Sequence, residues 1–127
     1  MQDSVMPTVQ IKRIDEPVFA GDGDRFLVDR LWPRGVSKKE AGLKAWLKEL
    51  GPSDALRRWY GHRPERWGEF KRRYKLELRA DKKQEEIKAL VERSRWTVVT
   101  LLYASKDRER NNAVVIKEAM EKKWVGG

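Results

Sequence analysis

Three groups able to do chemistry cluster at residues 29–35 (DRLWPRG): the carboxylate of Asp29 and the guanidiniums of Arg30 and Arg34. They stand at the end of an expected second strand, 25–29 (RFLVD), buried through Phe26, Leu27 and Val28, in a loop stiffened by Pro33. A planar guanidinium presents a fork of N–H groups, so Arg30 and Arg34 could clamp a phosphate or carboxylate. Asp29 could orient one of these arginines, or act as a base if its pKa is raised. The plainer alternative is an internal Asp–Arg pair that only holds the loop shut. A second polar set ends residues 97–113 (TVVTLLYASKDRERNNA) on Asn111 and Asn112, the only asparagines in the chain. Ala104 and Ser105 are small enough there for close backbone approach. The single imidazole, His62, stands in a loop before a helix, as a general acid or base near neutral pH or as a capping group.

The elements that must position these groups are readable from periodicity. Residues 96–103 are nearly all β-branched, aromatic or aliphatic without polar alternation, which predicts a strand buried on both faces of a parallel sheet. Asp107 is the expected N-cap of the next helix, whose stripe carries Val115, Ile116, Ala119 and Met120. Asn112 falls on the same inward stripe. An inward amide in the first turn of a helix, just past a buried strand, is where open α/β sheets bind ligands, and the free N–H groups of a helix start favour an anion. The alternative is that Asn112 satisfies a buried loop carbonyl.

Earlier in the chain, residues 1–7 are expected to be a loose end. Residues 8–14 (TVQIKRI) alternate as a first strand with one wet face, and 15–24 is a loop. Ser37 and Glu40 form a capping box for a helix using Leu43, Trp46, Leu47 and Leu50, stopped by Gly51 and Pro52. Ser53 caps a short helix with Leu56, Trp59 and Tyr60. Pro64 opens a helix over 64–79 that places Trp67, Phe70, Tyr74 and Leu78 on one face, a core stripe rather than a base-stacking platform. Asp81 and Gln84 cap another, with Ile87, Leu90 and Val91 inward. The last helix runs to about residue 123, before a short tail over 124–127.

The composition narrows the function classes. The chain has 127 residues, enough for one domain with one core. Without cysteine there is no disulfide, thiol nucleophile or thiolate metal site, and one histidine argues against zinc. Neither a cofactor nor a metal is expected. No secretory or lipidation signal and no membrane-length apolar run is present, so the expectation is a cytoplasmic protein without a membrane partner. The net charge of +9 is uneven: residues 1–29 carry three basic against six acidic residues, whereas 61–95 carry twelve against seven. That excess suits nucleic acid or phosphorylated small molecules, or is a solvated helix surface laced with acids. Fingerprints of dinucleotide enzymes, P-loop NTPases, serine hydrolases and zinc proteases are absent.

Together, residues 28–35 (VDRLWPRG), 61–78 (GHRPERWGEFKRRYKLEL) and 100–115 (TLLYASKDRERNNAVV) resemble the DUF488 family, in its short YeaO-like branch. The resemblance spans about residues 8–122 and implies a small α/β domain with a mainly parallel, Rossmann-like sheet flanked by helices; it implies no established activity. Matching motif positions are Asp29, Arg30, Trp32, Pro33, Arg34, Gly35, His62, Tyr103, Lys106 and Asn111. Broader relatives carry a Cys after the strand matching 97–103, which this chain lacks. The branch pattern has Asn-His-Ala where this chain has Asn111, Asn112 and Ala113, so a hydrogen-bonding role remains at 112 without an imidazole. The expected site is a strand-end pocket preferring an anion. Arg30 and Arg34 bind it, Ser105, Lys106, Asn111 and Asn112 assist, Tyr103 packs or hydrogen-bonds, and Asp29 or His62 handles protons. The leading expectation is an enzyme acting on a nucleotide, nucleic acid or other phosphorylated compound. The alternatives are a non-catalytic nucleic-acid-binding or regulatory module, and a sensor of an anionic ligand.

Overall fold

The computed structural model describes residues 7–124. The expected loose end, apart from Pro7, and the tail beyond Trp124 lie outside the described residues. Four strands, β1 (Val9–Arg13), β2 (Asp24–Leu27), β3 (Ala45–Trp46) and β4 (Val99–Tyr103), form one sheet in the order β1-β4-β2-β3. Every pairing is parallel: Ile11 lies opposite Leu101, Phe26 opposite Leu101 on the other side, and Leu27 opposite Trp46. The helices are α1 (Lys38–Ala41), α2 (Asp54–Tyr60), α3 (Trp67–Glu77), α4 (Asp81–Arg93) and α5 (Asn112–Lys123). The protein is therefore an α/β fold with a wholly parallel sheet among the described residues. No helix among them is long and apolar enough to cross a membrane.

β4 is the central strand, and all five of its residues are buried. Its lack of polar alternation follows from having sheet on both edges and cover on both faces, with the Thr100 hydroxyl satisfied by Asp22 O. Val99, Leu101 and Tyr103 join Phe26 and Val28 against the inward faces of α2 to α5, where Tyr60, Phe70, Tyr74, Ile87, Leu90, Val115, Ile116 and Met120 are buried. Leu102, Leu27 and Ile14 face the opposite side, against Ala41, Trp32 and Trp46.

That opposite face also carries charge, so the expected wet face of the first strand is not wet. Lys12 is buried and its Nζ lies 2.8 Å from Asp22, which also accepts from Arg25 at 2.6 Å and from Gln10 at 3.0 Å. Burial by itself pushes the Asp22 carboxyl up, but the bonds from Lys12, the Phe19 N–H and Arg25 outweigh it and hold the group below its usual range. The loop between β1 and β2 is pinned across the sheet by this cluster.

Three other expectations change. The capping box forms, with Ser37 Oγ accepting from Glu40 N at 3.0 Å, but the helix ends at Ala41. Gly42 takes a left-handed conformation (φ 57°), and the next residues extend to pair with β2 as β3. Trp96 does not enter the central strand: it is 86% exposed in the turn after α4. Ala80, not Asp81, is the N-cap of α4 and makes no side-chain cap bond, while Gln84 donates to Leu78 O.

Candidate functional site

The polar groups gather where β2 and β4 end. Val28 N still donates to Leu102 O at 3.1 Å, and one residue later the chain leaves the sheet at Asp29. Gly51 sets how close the neighbouring segment comes, since a Cβ there would stand 2.5 Å from Arg30 N. Trp46 Nε1 donates to the Asp29 carbonyl at 2.7 Å. From the end of β4, Ala104 N donates to Asp29 Oδ2 at 2.9 Å. From the first turn of α5, Asn112 Nδ2 donates to Asp29 Oδ1 at 2.9 Å and to Val28 O at 2.6 Å. The Asp29 carboxylate thus joins both strand ends to the helix. Burial pushes its carboxyl above the usual aspartate range; the Asn112 and Ala104 bonds and the nearby His62 charge oppose this without cancelling it.

The connection between β4 and α5 is built from short-range side-chain bonds. Asp107 does not cap α5 as expected. Its Oδ1 accepts from Glu109 N and Arg110 N, both at 3.0 Å, which closes a turn within the loop. Asn111 is the N-cap: its backbone is extended, and its Oδ1 accepts from Val114 N at 3.1 Å. The remaining Asn111 donor reaches Asp107 O at 3.0 Å. On the other wall, Ser53 caps α2 through Leu56 N and donates to Glu77 Oε2 at 2.6 Å, tying the start of α2 to the end of α3. Gly61 and His62 then turn the chain with positive φ values of 54° and 58°. That conformation is uncommon for a side-chain-bearing residue.

These segments enclose an open cavity of about 370 Å³. Of the residues expected at a site, Asp29, Arg30, His62, Ser105, Asn111 and Asn112 line it. The structure therefore brings His62 and Asp29 to one cavity. It does not bring all the others. Tyr103 is 2% exposed in the core and is not part of the lining, because β4 turns it toward the helix layer. Arg34 and Lys106 are exposed and also lie outside the lining. Arg30 lines the wall, but its guanidinium is bonded to Gly51 O at 3.0 Å, Pro52 O at 3.3 Å and Glu49 at 3.3 Å. It clamps the protein's own loop, not a free space.

Lining residues not anticipated are Arg57, Arg58 and Tyr60 from α2, Phe70 from α3, and Arg110. Arg57 Nε is buried without a hydrogen-bond partner among the described residues. Tyr60 stacks on Phe70 with ring centroids 4.5 Å apart. The available signal was the basic pair Arg57-Arg58 just before Trp59, Tyr60, Gly61 and His62, but only the fold sets α2 opposite the strand ends. No group of three or more His, Asp or Glu residues suited to a metal ion occurs among the described residues.

A family model described as "Inactive DUF488-N3 subclade" matches residues 8–126. An uncharacterized protein of Mycobacterium tuberculosis (strain H37Rv), Rv3073c, is 38% identical over 112 residues, covering 88% of this chain and 92% of that protein. The uncharacterized protein YeaO of Escherichia coli (strain K12) is 36% identical over 110 residues, covering 87% of this chain and 94% of its own length. No solved structure gives a significant match.

Proposed function

Because the chain belongs to the DUF488 family, in the subclade described as inactive DUF488-N3, we propose that its strand-end cavity binds a nucleotide or a related phosphorylated compound and holds it without turnover. The observation that carries this reading is the division of the cavity wall. Rings of Trp32, Tyr60 and Phe70 supply apolar surface, while Arg57, Arg58 and Arg110 supply guanidiniums opposed by a single lining carboxylate, Asp29. A wall of that kind suits a ligand with one flat apolar part and one anionic part. The volume is that of a small-ligand pocket.

Two features favour binding without chemistry. Each Asp29 oxygen already accepts from a fixed protein donor, so the carboxylate acts as the joint between strand ends and α5. Position 112, next to it, carries an amide, which holds hydrogen bonds but does not exchange protons near neutral pH. One observation favours a second reading, acid–base catalysis on the same ligand. Asp29 has a raised pKa and shares the cavity with His62, the pairing expected of a proton-handling site.

A thermal-shift screen of nucleotides, sugar phosphates and inorganic anions separates these. A ligand at a hundred times its dissociation constant stabilises by about 2.7 kcal/mol. The expected result is a shift with a phosphorylated compound that is lost in Arg58→Gln and leaves the compound chemically unchanged on long incubation. A product whose formation slows in Asp29→Asn would replace this reading by the catalytic one. No shift with any phosphorylated compound, or a shift indifferent to Arg57→Gln and Arg58→Gln, would overturn the site itself.

A further inference from the structure

Resting on the cavity reading above, we propose that the ligand is one unit of a phosphodiester chain: a nucleotide of single-stranded nucleic acid seats in the cavity, and the phosphates flanking it lie on cations around the mouth. The evidence is how the cations divide. Three of the four wall arginines have protein partners: Arg30 bonds Gly51, Pro52 and Glu49, Arg57 pairs with Asp54 at 3.4 Å, and Arg110 pairs with Asp107 at 2.9 Å. Arg58 lines the cavity, is exposed, and has no ion pair or hydrogen bond among the described residues.

Three further cations stand one residue outside the lining, on three different segments. Arg34 follows Pro33, Arg63 follows His62, and Lys106 follows Ser105. All three are exposed. Arg34 and Lys106 have no partner among the described residues, and Arg63 only reaches Glu65 at 4.0 Å, both side chains being more than half exposed. Exposed like charges adjoining the lining on three segments raise the positive potential around it. One terminal phosphate, already served by Arg58 and by the Nε of Arg57, unpartnered among the described residues, does not need cations on three sides. A chain with phosphates running both ways past the mouth does, and gains affinity by releasing its counterions. Leu31, 52% exposed and part of the lining, offers apolar contact to a flanking base. The concavity admits one unstacked unit, so the strand is single and not duplex.

The test compares a mononucleotide with a short single-stranded oligomer of the same nucleotide, by fluorescence competition at several salt concentrations. Wild type and the variant Arg34→Gln/Arg63→Gln/Lys106→Gln are measured side by side. The expected result is at least tenfold tighter binding of the oligomer, competed by the mononucleotide. In the variant that gain disappears, the mononucleotide affinity stays within about twofold, and the salt slope falls by about 2, from three phosphate contacts at roughly 0.7 each. Equal affinity for both probes would overturn the inference and leave the cavity reading standing. So would an oligomer gain that survives the variant, which would place the polyanion elsewhere, such as the groove of Lys75, Arg79, Lys122 and Lys123 between α3 and α5. Failure of the mononucleotide to bind at all has a different signature and would remove both.

Discussion

The bond from Asn112 to Asp29 gives the most direct test of how the strand ends are held. Replacing Asn112 by Asp keeps the shape but turns a donor into an acceptor facing two acceptors, Val28 O at 2.6 Å and Asp29 Oδ1 at 2.9 Å. Two carboxylates at that separation repel by about 6 kcal/mol at an effective dielectric constant of about 20. The protein avoids the full repulsion by taking up a proton. Protonating an ordinary aspartate at pH 7 costs about 4 kcal/mol, and less here because the Asp29 pKa is already raised. The lost bond to Val28 O adds about 1 kcal/mol. The deficit for Asn112→Asp is then about 4 kcal/mol near pH 7. The sign of its pH dependence follows from linkage: the folded pair has a raised pKa, so its stability is present below the unfolded value and lost as pH rises through the folded one. Near pH 4.5 a shared proton restores one bond, and the deficit shrinks to about 1–2 kcal/mol. For a chain of this length that is roughly 15 °C in melting temperature near neutral pH against about 5 °C in acid. Asn112→Ala is the control. It removes both bonds without adding a charge, costs about 2–3 kcal/mol and has a shallower pH slope. The assay is thermal unfolding by circular dichroism across this pH range, each variant taken as a difference from wild type. A pH-independent deficit for Asn112→Asp, or one no larger than that of Asn112→Ala near pH 7, would refute the reasoning.

Three further perturbations have defined outcomes. Gly51→Ala places a Cβ 2.5 Å from Arg30 N and 3.0 Å from the Asp29 carbonyl carbon; backbone must move, so denaturant titration should show a loss of about 2–3 kcal/mol, and phosphorylated-ligand shifts should weaken with it. Asp22→Asn leaves Lys12 and Arg25 buried without their counter-charge and should cost about 3–5 kcal/mol. Because the folded pKa of Asp22 lies below its unfolded value, that stability is present above the unfolded pKa and lost as pH falls through the folded one, so the mutant's deficit should narrow in acid. Trp96→Ser should change stability by no more than about 0.5 kcal/mol, since the ring is 86% exposed; a large loss would mean that the ring is packed after all.

Much of the fold was legible because its signals are local. The run Val99–Tyr103, β-branched, aliphatic and aromatic without polar alternation, suits a central parallel strand better than any other environment. The Ser37–Glu40 and Ser53 caps are hydrogen bonds between residues three apart, and both formed. The failure between residues 42 and 50 is equally physical. Leu43, Trp46, Leu47 and Leu50 have helical spacing, but Gly42 leaves the helix through a left-handed turn, and a two-residue strand exists only because Phe26 and Leu27 lie beside it. Nothing within that stretch encodes its tertiary partner. Trp96 differs for the opposite reason: an aromatic residue next to a buried strand has the pattern of the strand, but it still belongs to the turn that Trp96 N closes on Arg93 O at 3.0 Å.

The site shows the same division between residue type and direction. Arg30 and Arg34 have the right chemistry for an anion, but which carbonyls Arg30 finds depends on Gly51 and Pro52 arriving beside it, and that approach is a property of the fold. Asn112 is more instructive, because the two readings open to it are not exclusive. Its amide does satisfy a buried carbonyl, Val28 O, as the plain alternative held, and the same nitrogen bonds Asp29 while the residue lines the cavity. With both Nδ2 bonds directed into the protein, Asn112 acts on a ligand in part through the position and charge of Asp29. A variant at 112 should therefore move the Asp29 titration and the ligand affinity together, and the two measured across pH should shift in the same direction.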